Sequence, residues 1–122
     1  MQKNSLIGAH LPPGQADAIA GVSAVALTAT GTSQTDAYQI GADVSQFDTV
    51  AASTGAKLIP GCAPGDELWL FNNGAQTLTV YPPTGEQIND GTVTTGGFSV
   101  AANKGAVFKK SSSLNWIGIV TA

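Results

Sequence analysis

The sequence predicts an all-β domain, either an antiparallel β-sandwich or a small barrel, with an extended N-terminal arm. From about Ala37 onward, apolar residues recur at every second position, which is the period of a strand and not of a helix. Clusters of turn-forming residues interrupt this pattern about every ten residues, as in antiparallel sandwiches and barrels. The 122 residues suffice for one core. We therefore expect the arm at residues 1–35 and the β-domain at residues 36–122.

The arm differs in character from the rest of the chain. The Leu11–Gly14 segment contains two consecutive prolines, which are incompatible with regular structure, and residues 28–33 read as a linker or an exposed loop. Val22, Val25 and Leu27 could add one strand. The segment is either an extended arm that attaches the protein to a partner or a poorly ordered terminus, and the sequence does not decide between these two interpretations.

The clearest strand runs from Glu67 to Phe71. Leu68 and Leu70 face one side of it, and Trp69 and Phe71 face the other, so both sides are apolar. Such a strand is central in its sheet or lies at a contact between subunits. The residues Asn72 to Ala75 favour a turn, which predicts a hairpin between this strand and the next one, at Gln76–Tyr81.

Turn clusters also bound the remaining strand candidates. Pro82, Pro83 and Gly85 end the strand that contains Tyr81. Further strands are expected at Tyr38–Ile40, Val44–Ala52, Ala56–Ile59, Gly97–Ala101, Gly105–Lys109 and Leu114–Val120.

The composition argues against several classes of partner. Only 11% of residues are charged, the net charge is −3 and arginine is absent, so we expect no nucleic-acid binding. Cys62 is the only cysteine, which excludes an intrachain disulfide and a cysteine-based zinc site. No apolar run has the length of a signal peptide or a membrane span. We expect a protein made in the cytoplasm that makes no contact with a membrane.

The sequence shows no arrangement of catalytic residues. The single histidine, His10, lies in the arm, and no Gly-x-Ser-x-Gly motif is present to position a serine. Cys62 has no nearby basic residue in the sequence and is interpreted as a small apolar residue. Most of the carboxylates stand beside turn residues, where they cap turns or solubilise loops. We expect no enzyme activity, cofactor or metal site, although a convergent pair of acids would reopen a hydrolase function.

The aromatic residues allow two interpretations. Trp69, Phe71, Tyr81 and Trp116 could form a platform that binds carbohydrate, because aromatic rings on a sheet present apolar faces to a sugar. They could instead pack in the core or between subunits, which we favour in so small and weakly charged a domain. The neighbouring Lys109 and Lys110 are expected at a solvated edge.

A set of short motifs follows in a defined order between Gly55 and Trp116. These are Gly55–Pro60, Pro64-Gly65-Asp66, an apolar strand, Asn72-Asn73-Gly74, Leu78–Pro82, Gly85, Ile88-Asn89, Ser99–Ala102, Gly105, Phe108 and Trp116. As a set they resemble the small β-domain proteins of tailed bacteriophages, which serve as head decoration (cement) proteins or head-fibre modules. The resemblance covers about the last two-thirds of the chain, and the residues before about Asp43 match poorly.

The resemblance implies a structural virion protein that binds the outer capsid surface and stabilises the head as a homotrimer. Its partners would be two further copies and the major capsid protein. Trp69, Phe71 and Tyr81 are our candidates for the trimer contact. The candidates for the capsid contact lie within Met1–Ser33, chiefly Leu6, Ile7, Leu11, Pro12 and Pro13. An alternative is a fibre module that binds host glycans through Trp116 and Tyr81.

Overall fold

The computed structural model describes residues 22–121, which form ten β-strands and no helix. The strands are β1 (Ser23–Thr28), β2 (Tyr38–Gln39), β3 (Val44–Thr49), β4 (Gly55–Lys57), β5 (Glu67–Asn72), β6 (Leu78–Tyr81), β7 (Gln87–Ile88), β8 (Phe98–Val100), β9 (Lys104–Lys110) and β10 (Asn115–Val120). The predicted all-β class is therefore confirmed for the described part of the chain, and each expected strand has a counterpart.

The strands form two sheets of mixed direction. The larger sheet has the order β1-β3-β5-β9-β10-β7, and the smaller has the order β2-β4-β6-β8. From β1 to β6 the chain alternates between the two sheets, so successive strands of one sheet lie parallel, as in the turns of a coil. β9 and β10 then add an antiparallel hairpin beside β5. The expectation of purely antiparallel sheets was wrong.

The predicted hairpin between β5 and β6 was also wrong, because these two strands belong to different sheets. The side chain of Asn72 is fully buried at the corner between them. Its amide nitrogen donates to the carbonyl oxygens of Gln76 (2.8 Å) and Val100 (2.9 Å), and its amide oxygen accepts from the Gly74 N–H at 2.9 Å. These bonds replace hairpin pairing, so the chain crosses to the other sheet.

Gly74 is required at this corner by a close approach of the backbone to Val50. A Cβ atom at position 74 would lie 2.7 Å from Val50 Cγ2. A turn motif that suits a hairpin in isolation therefore serves here as a tight connection between sheets.

Both sheets contribute to one hydrophobic core. Phe108 of the larger sheet and Phe98 of the smaller sheet meet edge to face, with ring centroids 5.3 Å apart. The largest fully buried side chains in the core are those of Trp116, Phe47, Phe108, Leu58 and Leu78. Leu68 and Leu70 also point into it, as the alternation in β5 predicted.

The described part of the expected arm is not separate from the β-domain. β1 pairs in parallel with β3 and forms one edge of the larger sheet. A bulge accompanies the positive φ of Ala26 (58°), and Leu27 packs against the core. The strand allowed for at Val22, Val25 and Leu27 is thus present, and the folded unit begins before residue 36.

Candidate functional site

The outward-facing side of the larger sheet is apolar over four adjacent strands. We call this surface the apolar face, and its members are Val44 of β3, Trp69 and Phe71 of β5, Val107 of β9, and Ile117 and Ile119 of β10. Four strands spaced about 4.8 Å apart span about 14 Å between the outermost strand axes. Most of these side chains are substantially exposed, including Trp69 at 53% and Ile119 at 60%. A continuous apolar patch of this kind marks an interaction site in soluble proteins.

Strand register aligns the members of the apolar face in rows. Val44, Trp69, Val107 and Ile119 are successive partners across β3, β5, β9 and β10. A second row places Glu67 beside Lys109 and Ile117. The face is therefore a set of aligned side chains with charged residues along one margin.

A groove lies on this face over β9 and β10. It has a volume of about 470 Å³ and is lined by Glu67, Val107, Lys109, Lys110, Ser111, Ile117 and Ile119. Its lining is mainly apolar, and the polar groups on this side of the sheet are the Glu67 carboxylate, the Lys109 ammonium and the Ser111 hydroxyl. The groove can accept an apolar group that carries a charge at one end.

Trp69 and Phe71 project beside the groove. The Trp69 indole N–H donates to Glu67 Oε2 at 3.0 Å, which orients the exposed ring. Gly105 is the cross-strand partner of Phe71, and a Cβ atom there would lie 3.5 Å from Phe71 Cδ1. The prediction that Trp69 and Phe71 face one side of β5 and Leu68 and Leu70 the other is confirmed, with the leucines buried and the two aromatic residues exposed.

Tyr81, the third candidate for the trimer contact, lies on the outer side of the smaller sheet. Its ring packs between two glycine positions, since Cβ atoms at Gly55 and Gly97 would lie 2.8 and 3.6 Å from it. Its hydroxyl donates to the carbonyl oxygen of Thr32 at 3.4 Å. The structure therefore brings Trp69 and Phe71 together and places Tyr81 in a different sheet.

A buried polar cluster behind the apolar face joins β9 and β10 to Glu86, the residue immediately before β7. Glu86 Oε1 accepts from Trp116 Nε1 at 2.8 Å and pairs with Lys110 Nζ at 3.1 Å. Lys110 also donates to the Cys62 carbonyl at 2.7 Å, and its ammonium lies 5.7 Å from the centroid of the Trp116 ring. The hydrogen bonds satisfy a charge pair that would be costly to bury alone.

This cluster corrects two expectations. Trp116 is completely buried, so it cannot form a glycan platform with Tyr81. Lys110 is only 4% exposed and belongs to the interior, whereas Lys109 is exposed on the opposite side of β9. Consecutive residues of a strand point to opposite faces, which is the physical reason for the difference. The pairing of Lys110 with Glu86 was not foreseen, because the two residues are distant in sequence.

The ionisable groups show no catalytic arrangement in the part of the chain that the structure describes. Burial, with a smaller effect of the Asp66 charge, raises the pKa of the Cys62 thiol and disfavours the thiolate. Hydrogen bonds from Gln46 and Asn73 lower the pKa of Asp48, and those from Ser33 lower the pKa of Asp36. These bonds identify both carboxylates as local structural acceptors.

The remaining predictions from the sequence concern metal sites, paired carboxylates and membrane-spanning segments. Within residues 22–121 no group of three or more His, Cys, Asp or Glu side chains could hold a metal ion. The groove contains one carboxylate, and a second depression of about 120 Å³, beside Lys57 and Pro83, contains none. No helix in this part of the chain is long and apolar enough to span a bilayer. His10 and the capsid-contact candidates Leu6, Ile7, Leu11, Pro12 and Pro13 lie outside the described residues.

Comparison of the chain with protein-family models, with curated proteins and with solved structures finds no match.

Proposed function

We propose that this chain is a structural virion protein, a capsid decoration (cement) protein that stabilises the head as a homotrimer on the outer capsid surface. The apolar face carries the proposal. Trp69 and Phe71 are aromatic residues of the kind that dominate the energetics of protein interfaces, and both are exposed to solvent in the protomer. Covering them with sister copies removes apolar surface from water at about 25 cal/mol per Å².

The stabilising mechanism is multivalent. In the proposal, the two sheets form a β-sandwich that presents the apolar face to its sister copies, and each subunit of the trimer contacts a different capsid subunit. Neighbouring capsid subunits then separate only after the trimer detaches, so modest individual contacts combine into strong attachment. The capsid-contact candidates remain those of the N-terminal segment, with Leu6, Ile7, Leu11, Pro12 and Pro13 as its apolar and proline residues.

A second candidate function, a fibre module that binds host glycans, has one observation in its favour. The exposed Trp69 ring and its hydrogen-bonded partner Glu67 form an aromatic surface with a polar group at its edge, as sugar-binding surfaces do. Micromolar binding on a glycan array that is lost in Trp69→Ala would favour this function. An array on which the unaltered chain binds no glycan would contradict it.

The proposed function is tested first by sedimentation equilibrium at micromolar concentration. We expect a species of three times the 12.3 kDa chain mass. A species with the mass of one chain would remove the trimer from the proposal.

Capsid attachment requires a separate experiment with undecorated capsids. Deleting residues 1–13 should abolish binding while the trimer persists, because the β-domain provides the contact between copies. Unchanged occupancy would refute the N-terminal attachment.

A further inference from the structure

The apolar face contains both a projecting aromatic group and a groove, which together suggest how copies of the chain dock. We propose that Trp69 of one protomer enters the groove over β9 and β10 of the next protomer, where Glu67 of the first pairs with Lys109 of the second. This inference rests on the proposed self-association and deepens it by naming the docking pair and its register.

The projecting group is oriented before any contact forms. Trp69 is about half exposed, and its indole N–H is held by Glu67 at 3.0 Å. The side chain therefore loses less conformational freedom on docking than an unrestrained one. It presents an aromatic ring with a carboxylate at its edge.

The groove has a matching composition. Val107, Ile117 and Ile119 supply apolar walls, and Glu67, Lys109 and Ser111 supply polar groups, of which the Glu67 carboxylate is already held by the Trp69 indole of the same protomer. Its volume of about 470 Å³ falls within the roughly 300–1,000 Å³ of pockets that enclose small ligands, so one indole ring fits. An occupant with an apolar ring and an adjacent negative charge satisfies both parts of this lining.

The charges on the face are arranged for a contact between copies. Lys109 is the cross-strand partner of Glu67. No carboxylate among residues 22–121 lies within 4 Å of its ammonium nitrogen, while the Glu67 carboxylate binds Trp69 instead. Both charged residues line the groove, but the Glu67 carboxylate is held by the indole of its own protomer, whereas Lys109 has no such partner among the described residues. The Lys109 ammonium is therefore the group with which a carboxylate of a second copy can pair.

In the proposed trimer the docking contact is heterologous. Trp69 lies on β5, and the groove extends from Glu67 of β5 over β9 and β10 of the same face. Each copy inserts Trp69 into one neighbour and receives Trp69 from the other, and repetition of this contact about a three-fold axis closes a ring. A reciprocal contact, in which two copies insert Trp69 into each other, would give a two-fold dimer instead, and sedimentation equilibrium distinguishes the two by mass.

Charge reversal tests the register. In Glu67→Lys or Lys109→Glu, each docking contact places like charges together, so we expect association to weaken by about tenfold or more by sedimentation velocity. The double variant Glu67→Lys/Lys109→Glu restores an opposite pair, so it should associate more strongly than either single variant, and it should stay weaker than the wild type because the indole loses its Glu67 acceptor. Lys57→Glu, on the outer side of the smaller sheet, is the matched control and should associate as the wild type does. Both docking residues are exposed, so thermal unfolding of the protomer should be little changed.

Mixing the two single variants separates a contact between copies from an effect within one chain. The ammonium introduced by Glu67→Lys in one copy faces the carboxylate introduced by Lys109→Glu in the other, and the two unaltered side chains face each other in the reverse contact. An equal mixture should therefore associate more strongly than either variant alone. A mixed trimer still contains one mismatched contact, so it should remain weaker than the trimer of the double variant.

The outcomes distinguish this inference from the proposed function. A wild-type trimer that is unaffected by the single reversals would overturn the docking pair and leave the trimer standing. A mixture no stronger than its components would also overturn it. A monomeric wild type would overturn the docking pair and the trimer together.

Discussion

The outer sides of the two sheets differ in chemistry although both consist of strands with alternating side chains. The larger sheet exposes the apolar face. The outer side of the smaller sheet carries Gln39, Lys57, Thr79, Tyr81 and Ser99, which are polar apart from one tyrosine, together with the buried Gly55. That tyrosine is partly covered between Gly55 and Gly97, whereas Trp69 has no comparable cover within the described residues.

The smaller sheet therefore presents a mainly polar surface to water, whereas the larger sheet leaves apolar side chains exposed. An exposed aromatic residue on its own needs no explanation, but six apolar side chains aligned across four strands form a continuous patch. The protomer shields its tyrosine with its own backbone. The apolar face obtains the same protection from sister copies in the proposed trimer.

The largest expected effect comes from removing the aromatic groups of the apolar face. The double variant Trp69→Ser/Phe71→Ser should weaken association by about a thousandfold, because two aromatic interface anchors contribute about 2 kcal/mol or more each. Sedimentation equilibrium over a range of concentrations measures this change. The matched variant on the other side, Tyr81→Ser, should lower the unfolding temperature and leave the trimer intact. Equal loss of association in both variants would contradict the assignment of the two sides.

An effect of comparable size, on protomer stability and not on association, is expected for the buried side of β9, where Lys110 lies behind the apolar face. Lys110→Met leaves the Glu86 carboxylate without its cation, so it should lower the free energy of unfolding by about 3–5 kcal/mol. Lys109→Met, on the neighbouring exposed residue, should change that free energy by no more than about 0.5 kcal/mol. Urea unfolding measures both values. Similar values for the two variants would show that the burial of Lys110 does not matter to stability.

The smallest expected effect on stability concerns two glycines, Gly55 in the smaller sheet and Gly105 in the larger sheet. An alanine Cβ at position 55 would lie 2.6 Å from the Thr79 carbonyl oxygen and 2.8 Å from Tyr81 Cε2. Gly55→Ala should therefore cost about 1–3 kcal/mol of stability. At position 105 the nearest atom is 3.5 Å away, so Gly105→Ala should be tolerated. If thermal unfolding ranks the two variants in the opposite order, the close packing around Tyr81 is not a stability determinant.

The sequence predicted the local features that depend on neighbouring residues. Alternation in β5 identified which residues face the core and which face outward, and the turn residues located most of the strands. The pattern did not reveal strand direction, because parallel and antiparallel strands share the same period of two. The residues Asn72 to Ala75 predict a hairpin because they favour a turn. Their place at the corner between the two sheets depends on contacts with the distant residues Val50 and Val100, which the local pattern does not reveal.

The all-β class and the two apolar sides of β5 follow from the spacing of side chains along the strands, so they could be predicted from the residues alone. The tertiary structure was needed to show that β5 lies between β3 and β9, which aligns Trp69 with Val44, Val107 and Ile119. It also decided that Trp116 and Lys110 are buried with Glu86. The reason is physical: a continuous apolar face and a buried ion pair are contacts between segments far apart in the chain, and local periodicity carries no information about which segments meet.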